Sequence, residues 1–256
     1  MIAGQLFTLV SLSLLAAANP LLPRAASSTF PSPPTTSHLS EPFRIKAGQS
    51  YTPSKAYTRF DRGSGSCGGQ TEGGDKDAVF ILEEGASLSK VVIGKDQAEG
   101  IHCLGSCTIS DVWFEDVCED AITIKQTSGT SRILGGGAKH ADDKVIQHNG
   151  GGKVVVDSFY VEDFGKLYRS CGNCKSTQYK RQLELSNIWA VSGKLLVGIN
   201  SNYGDTAKIR STKVKSVKDV CQKFIGNNNG KEPSKDGSAG PDSKHCLYSN
   251  SDITKL

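Results

Sequence analysis

The sequence predicts an all-β chain whose strands stack as successive coils of a β solenoid. Its 256 residues include 28 glycines and many Val and Ile, a composition that favours strands joined by tight turns. A short apolar pattern with strand-like alternation recurs along the chain, with copies that open at Ile109, Ile133 and Val156. The interval between these copies is nearly constant. A fixed period of this length, made from strands alone, is typical of a solenoid in which each coil completes the core of its neighbour.

The recurring pattern is an apolar residue followed three and five positions later by two more. Complete or shortened copies are Leu88, Val91 and Ile93; Ile109, Val112 and Phe114; Ile133; Val156, Phe159 and Val161; and Leu185 and Ile188. Gly, Asn and Asp between the copies predict turns. The alternative is an antiparallel sandwich or barrel, and Asn149-Gly150 is a hairpin signal. Strands of a sandwich recur at about half the observed period, so a sandwich explains the recurrence of whole segments less well.

The chain begins with a predicted secretory signal peptide, residues 1–18. Its apolar stretch is too short for a membrane span, and small residues follow it at a plausible cleavage point. Residues 19–42 are dominated by Pro, Ser and Thr and predict a linker or pro-segment. We therefore expect a secreted, extracellular protein with one folded domain, residues 43–256, and no membrane contact once the signal is removed.

The eight cysteines predict disulfides. An even number behind a signal peptide is typical of extracellular bridges. The alternative is zinc, because Cys171 and Cys174 resemble half of a zinc site, but no second CxxC accompanies them. The pairing is not readable from the sequence, although Cys103 and Cys107, like Cys171 and Cys174, are close enough for local loops.

The net charge of +4 permits an acidic partner without requiring one. Nucleic acid is not an expected partner, since the sequence has no dense Lys/Arg cluster with interleaved aromatic residues. A monomer is expected.

Charged residues in the middle of the chain recur at the period of the coil. Glu99, Asp120, Lys144 and Lys166 follow one another at nearly the same interval as the apolar pattern, and Arg169 comes shortly after Lys166. On coils about 4.8 Å apart these residues form one column roughly 15 Å tall. Acids at one end and cations at the other predict a site that holds a metal ion and an anionic polymer.

The acidic residues predict a calcium site. Asp116, Glu119 and Asp120 lie close together in the sequence, Glu99 lies one coil away, and the carbonyl of Val117 offers a further oxygen. Calcium prefers several carboxylate and carbonyl oxygens in a flexible arrangement. A cluster of acidic residues is more often a solvent-exposed surface than a metal site. The stacking of Glu99 on this cluster is the feature that favours a metal site here.

Lys144, Lys166 and Arg169 are the candidate catalytic residues. A lysine is normally protonated, but nearby cations, burial or a metal lower its pKa and make it available as a base. An arginine stays charged and holds carboxylates through paired hydrogen bonds. For each lysine alone, solubility is the alternative role. Asp142 and Asp143 are a doubtful acid pair, because neighbours in a strand point to opposite faces.

Four long segments carry a resemblance to a known family: AVFILEEGASLSKVVIG, QAEGIHCLGSCTISDVWFEDVCEDAITIK, GGGAKHADDKVIQHNG and VEDFGKLYRSCGNC. They closely resemble the pectate lyases of polysaccharide lyase family 3, most of all the secreted, fungal-type members. The resemblance runs from about Phe43 to the C-terminus and is densest from Ala78 to Cys174. It implies a single-stranded, right-handed parallel β-helix, dependence on Ca²⁺, and cleavage of polygalacturonate in pectin by β-elimination to 4,5-unsaturated products.

The resemblance also implies roles for individual residues. It places calcium ligands at Glu99, Asp116, Val117 (backbone oxygen), Glu119 and Asp120, and catalytic cations at Lys144, Lys166 and Arg169. Glu99 stands where some relatives carry Asp. We expect Lys144 to be the base, with Arg169 holding a substrate carboxylate and Lys166 assisting. An exchange of the base role between Lys144 and Arg169 stays open.

Two other functions compete with this one. A polygalacturonase on a similar coil would need an acid and a carboxylate flanking the bond, and the sequence offers no convincing pair. A non-catalytic wall-binding or defence-eliciting protein is the third candidate, because one fold serves many functions.

Overall fold

The computed structural model describes residues 25–175 and 178–256, which form a parallel β-helix. The predicted signal peptide and the start of the predicted linker lie outside the described residues. Across the described ranges, every strand pairing is parallel except that of β16 with β17. No helix in the part of the chain described has the length and apolarity needed to cross a membrane.

The described residues contain 19 strands and three short 3₁₀ helices. The strands are β1 (Thr36–His38), β2 (Phe43–Ile45), β3 (Ser50–Tyr51), β4 (Thr58–Asp61), β5 (Ala78–Leu82), β6 (Ala86–Ile93), β7 (Glu99–Cys103), β8 (Cys107–Phe114), β9 (Asp120–Ile124), β10 (Thr130–His148), β11 (Gly152–Asp157), β12 (Tyr160–Ser170), β13 (Arg181–Ser186), β14 (Trp189–Asn200), β15 (Thr206–Arg210), β16 (Thr212–Ile225), β17 (Ser234–Lys235), β18 (Cys246–Leu247) and β19 (Ile253–Lys255). The 3₁₀ helices are Asp75–Asp77, Ser201–Tyr203 and Asn250–Asp252.

The strand pairings divide each central coil among three walls. Wall one contains residues 78–82, 99–103, 120–124, 144–148, 166–170 and 195–199. Wall two contains residues 86–89, 107–110, 131–134, 153–157, 182–186 and 206–210. Wall three contains residues 91–93, 112–114, 136–138, 160–162, 189–191 and 213–215.

Apolar side chains stack along the axis as the recurring pattern predicts. Ile109 pairs with Ile133, and Ile133 pairs with Val156, so each interval of the pattern is a single coil. All three side chains are buried. The predicted solenoid is therefore confirmed, and each coil buries its apolar face against the next.

A corner between walls two and three fixes where each coil turns. The residue after each wall-two strand has a left-handed backbone, with φ between 46° and 71°, at Lys90, Asp111, Gly135, Ser158, Asn187 and Ser211. A single left-handed residue bends an extended chain sharply, and most of these positions carry Gly, Asn, Asp or Ser. The repeated corner keeps successive coils in register.

The coil begins earlier than composition predicts. Residues 25–42 were expected to belong to a linker, yet β1 pairs with β4 and Phe30 packs against Trp113 with ring centroids 4.7 Å apart. Leu39 also packs against the core. These two apolar side chains give the Pro/Ser/Thr-rich segment enough contact to lie on the coil, so the folded part starts before Phe43.

All eight cysteines form disulfides. The pairs are Cys67–Cys118, Cys103–Cys107, Cys171–Cys174 and Cys221–Cys246. The two short loops considered from the sequence are both present. The other two bridges join distant segments, and one of them ties the C-terminal tail to β16.

Gly136 permits a close approach between coils, which gives the first test. A Cβ atom at Gly136 would lie 2.0 Å from the carbonyl oxygen of Val112 on the adjacent coil. Gly48 also has a positive φ, 69°, but a Cβ there meets nothing within 4 Å. We expect Gly48→Ala to cost about 1–2 kcal/mol of unfolding free energy and Gly136→Ala about 3 kcal/mol or more. Chemical unfolding of both variants checks this, and equal losses would contradict the close approach.

Candidate metal centre and active site

The predicted column of charged residues exists on wall one. Glu99 pairs with Asp120, Asp120 with Lys144, and Lys144 with Lys166. Arg169 lies further along the same wall, where it pairs with Gln147. The coil thus brings together side chains that are a full turn of the solenoid apart in sequence.

Three buried carboxylates meet at one end of the column. Oxygens of Glu99, Glu119 and Asp120 all lie within 4.8 Å of one another. The residues are 2%, 4% and 1% exposed. Oε2 of Glu119 is buried without a hydrogen-bond partner in the part of the chain described. Because an unpartnered buried carboxylate oxygen is costly, this donor set fits a divalent cation with a preference for oxygen ligands.

Glu99 is held in place by its neighbours. Its carboxylate accepts a hydrogen bond from the Gly73 amide at 3.0 Å, and it lies 3.1 Å from Nε2 of His102. The other ring nitrogen of His102 lies 2.8 Å from a carboxylate oxygen of Asp75, which also accepts from Lys125. Hydrogen-bond partners of this kind fix the orientation of a carboxylate that could bind a metal.

Electrostatics in the cluster favour an added positive charge. Burial raises the pKa of Asp120 well above its usual value; Lys144 opposes this shift, whereas repulsion from Glu119 and Glu99 reinforces it. Lys144 Nζ lies 3.2 Å from Glu119 and 3.4 Å from Asp120. Burial lowers the pKa of Lys144, but Asp120, Asp143 and Glu119 outweigh it and raise the pKa above that of an ordinary lysine. The single positive charge of Lys144 therefore has to stabilise several negative carboxylates at once.

One predicted carboxylate ligand, Asp116, is not part of this cluster. Asp116 is exposed. Its backbone oxygen accepts a hydrogen bond from Gln97 Nε2 at 3.1 Å. The side chain of Val117 is buried in the core, and its amide donates to the carbonyl of Lys139. Both residues lie in the segment between β8 and β9, where the chain turns from wall three to wall one. Among the acids described here, Glu119 at the end of this segment and Asp120 at the start of β9 are the two that meet Glu99.

The three predicted cations line one groove. It has a volume of about 180 Å³, and Lys144, Lys166 and Arg169 all border it. Lys144 Nζ donates to Asp143 at 2.6 Å, and Lys166 donates to the other oxygen of the same carboxylate. Asp143 thereby joins two ammonium groups on adjacent coils.

Arg169 is the most enclosed of the three cations. Its guanidinium donates to Ser170 O and Asn200 Oδ1 at 2.7 and 3.0 Å and lies 4.2 Å from the centroid of the Phe224 ring. Burial lowers the pKa of Arg169 to about 10, which leaves the group charged near neutral pH. A fixed, desolvated guanidinium is suited to holding a carboxylate.

Sequence reasoning underestimated Asp143. Strict alternation would turn Asp143 away from Lys144, but the pairing of β10 with β12 shifts by one residue between Ala141 and Lys144. A bulge of this kind re-aims side chains, and here neighbouring residues contact each other in the groove. No feature of the sequence alone marks that shift.

Other groove residues come from loops and were also missed. Glu72 borders the groove from the loop before β5, and burial, with repulsion from Glu119 and Glu99, raises its pKa. Glu232 and Pro233 border it from the C-terminal tail that follows β16, which carries none of the predicted site residues. Gln147, in contrast, lies on β10, and its Oε1 is buried without a hydrogen-bond partner in the described ranges. Of these, only Gln147 had a signal in the sequence, its place one coil before Arg169.

Comparison with known proteins agrees with the resemblance. The pectate lyase family model matches residues 27–231. A probable pectate lyase E of Neosartorya fischeri is 62% identical over 184 residues, 71% of each chain. A probable pectate lyase D of Aspergillus fumigatus is 51% identical over 245 residues, 95% of each chain.

A solved structure has the same architecture. Pectate lyase PelI from Erwinia chrysanthemi, in complex with tetragalacturonic acid, superposes with a TM-score of 0.69 and 31% identity over 88% of this chain and 71% of that one. Family model, curated relatives and fold therefore agree: this chain belongs to the pectate lyase family, among its fungal members.

Proposed function

We propose that this protein is a secreted, calcium-dependent pectate lyase that cleaves (1,4)-α-D-galacturonan by β-elimination. The observation that carries the proposal is the column on wall one, where a three-carboxylate cluster adjoins a groove bordered by three cations. An anionic sugar chain suits such a groove because its carboxylates can pair with the cations. The related PelI binds tetragalacturonic acid, and we extend that ligand class to this chain.

Glu99, Glu119 and Asp120 are the residues that would hold calcium. The unpartnered oxygen of Glu119 and the mutual repulsion of the acids support this choice. When bound, calcium would neutralise carboxylates in the site and acidify the C5 proton of the bound uronate. Asp116, which the resemblance implies as a ligand, is exposed and would have to move to join these three, and the Val117 carbonyl is the further oxygen that the resemblance implies.

Lys144 is our choice for the base that removes the C5 proton. It borders the groove and lies against both Glu119 and Asp120, so charge neutralisation at these acids removes two of the interactions that hold its pKa high, while Asp143 continues to raise it. The proton passes from C5 to Nζ, and the C5 electrons form the 4,5 double bond. The C4–O bond breaks with its electron pair passing to the glycosidic oxygen, which takes a proton from solvent and leaves as a hydroxyl. Lys166, one coil away, pairs with Asp143 and assists substrate binding.

Arg169 has the role of a clamp. Its buried guanidinium is fixed by Asn200 and the Phe224 ring, and its Nε and Nη2 groups, which have no hydrogen-bond partner among the described residues, would bind a substrate carboxylate in the groove. A charged group that is already desolvated stabilises developing charge without reorganisation. Should the base role fall to Arg169 instead, Lys144→Ala would retain turnover.

The reaction itself is the first test of the proposed function. Polygalacturonate incubated with the protein and calcium should yield products with the ultraviolet absorbance of a 4,5-unsaturated uronide, and a chelator should abolish this signal. Reducing ends that appear without the absorbance would indicate a hydrolase. Polymer retention with neither signal would indicate a wall-binding protein.

The second test separates ligands from neighbours. Glu119→Gln keeps the shape of the side chain but removes its charge, so we expect calcium affinity, measured by calorimetry, to fall roughly tenfold or more. The same variant should not be less stable in chelator, since it relieves repulsion among buried acids. Asp116→Asn is the matched control and should change calcium affinity less than twofold. An equal loss in both variants would make Asp116 a ligand, against the present geometry.

The third test addresses the base. Lys144→Ala should lower kcat by about 10²- to 10⁴-fold while polygalacturonate still binds. Because only the unprotonated amine accepts a proton, the wild-type rate should rise with pH until Lys144 in the calcium-loaded enzyme is neutral. Lys153→Ala, which removes a lysine paired with Glu184 on wall two, is the control and should leave kcat within twofold. Substantial turnover by Lys144→Ala would reject the assignment.

A further inference from the structure

A row of aromatic side chains follows wall three, away from the groove. Trp113 and Tyr160 both pair with Gly137, Tyr160 pairs with Trp189, and Trp189 pairs with Lys213. Phe30 lies 4.7 Å from Trp113 and 6.3 Å from Tyr160, centroid to centroid. The N-terminal segment therefore packs on Trp113 and Tyr160, and its residues Ala25 and Ala26 line a pocket at the Trp189 end of the row.

Trp189 borders a pocket of about 380 Å³. The polar residues around it are Asn187, Ser211, Lys213, Ser251 and Thr254. None of the residues that line this pocket lines the groove of Lys144 and Arg169. The volume lies within the range of sites for small ligands, roughly 300–1,000 Å³.

The chemistry of the lining suits a sugar acid. The indole of Trp189 offers a broad apolar surface for the C–H face of a pyranose ring. Side chains with hydroxyl or amide groups surround it, and the ammonium of Lys213 is the charged group among the lining residues. Lys213 has no ion-pair partner within the described ranges, and no carboxylate lines the pocket there. The ammonium of Lys213 can pair with the carboxylate of one hexuronate unit, while the Trp189 ring packs against its sugar ring.

The surrounding surface is basic. Between positions 206 and 225 the chain carries six Lys or Arg and one acid, Asp219. Lys208, Lys213, Lys215 and Lys218 are exposed. Since the whole chain has a net charge of only +4, positive charge is concentrated on these last coils, where it attracts a polyanion.

We propose that the Trp189 pocket is a second binding site for a galacturonate unit of a polyuronate chain, separate from the catalytic groove. The choice of galacturonate rests on the proposed function, which makes this polymer the substrate. A chain held at both sites meets the groove at a raised effective concentration. The pocket thus retains the enzyme on its polymer while the groove cleaves it.

Tryptophan fluorescence tests the proposal directly, because the chain has only two tryptophans, Trp113 and Trp189. In the Trp113→Phe variant of the full mature chain, Trp189 is the source of the emission. Titration with trigalacturonate in a chelator, where cleavage is suppressed, should give a saturable change in emission. Trp189→Phe, which retains Trp113, should give none, and this second variant guards against a folding defect in the first.

Charge-matched variants locate the site. On the Trp113→Phe background, Lys213→Gln should weaken trigalacturonate binding at least fivefold. Lys215→Gln removes the same charge two residues along the strand, outside the pocket, and should weaken binding less than twofold. A neutral galactose trimer should bind at least fivefold more weakly than trigalacturonate. Equal effects of the two lysine variants, equal binding of the neutral trimer, or no emission change at millimolar trigalacturonate would each overturn the proposal.

The lyase assay distinguishes the two proposals. Trp189→Phe should cleave soluble trigalacturonate at the wild-type rate yet be released from a polygalacturonate gel more readily. Normal cleavage with no fluorescence titration rejects the second site alone. Absent cleavage in the wild type with an intact titration rejects the lyase function and leaves a uronate-binding pocket.

Discussion

Parallel register between adjacent coils is the constraint on which the rest of the structure depends. Pairing of Asp120 with both Glu99 and Lys144 fixes which side chains share a column. A slip of one residue on any coil would move its whole set of side chains to the opposite face. The left-handed corner residues and the close approach at Gly136 hold this register, so packing far from the groove determines its chemistry.

The same register accumulates like charges at one place. Three carboxylates are buried together, and Lys144 lies against two of them. Burying acids without compensation is unfavourable, so the fold retains here an arrangement that a cation would complete. We infer that the site is kept for binding and chemistry, at some cost to the stability of the metal-free protein. Apolar stacking of residues such as Ile109 and Ile133 offsets that cost.

Periodicity in the sequence predicts the coil and the column, because the apolar pattern and the charged residues share one spacing. What it does not predict depends on departures from that spacing. Asp143 reaches Lys144 through a one-residue shift, and Glu72 and Glu232 reach the groove from irregular loops. Asp116 is close in sequence to Glu119, but the corner between walls three and one leaves it exposed. The Pro/Ser/Thr-rich composition likewise does not predict that the segment around Phe30 packs on the coil.

The central claim is that these coils build one shared site for a divalent cation and a sugar acid. The most direct measurement is a crystal structure of the Lys144→Ala variant with calcium and a galacturonate trimer. The account predicts a calcium ion about 2.3–2.6 Å from carboxylate oxygens of Glu99, Glu119 and Asp120. It further predicts a uronate carboxylate bound by Arg169. Calcium at other residues, or a trimer bound only outside the groove, would contradict it.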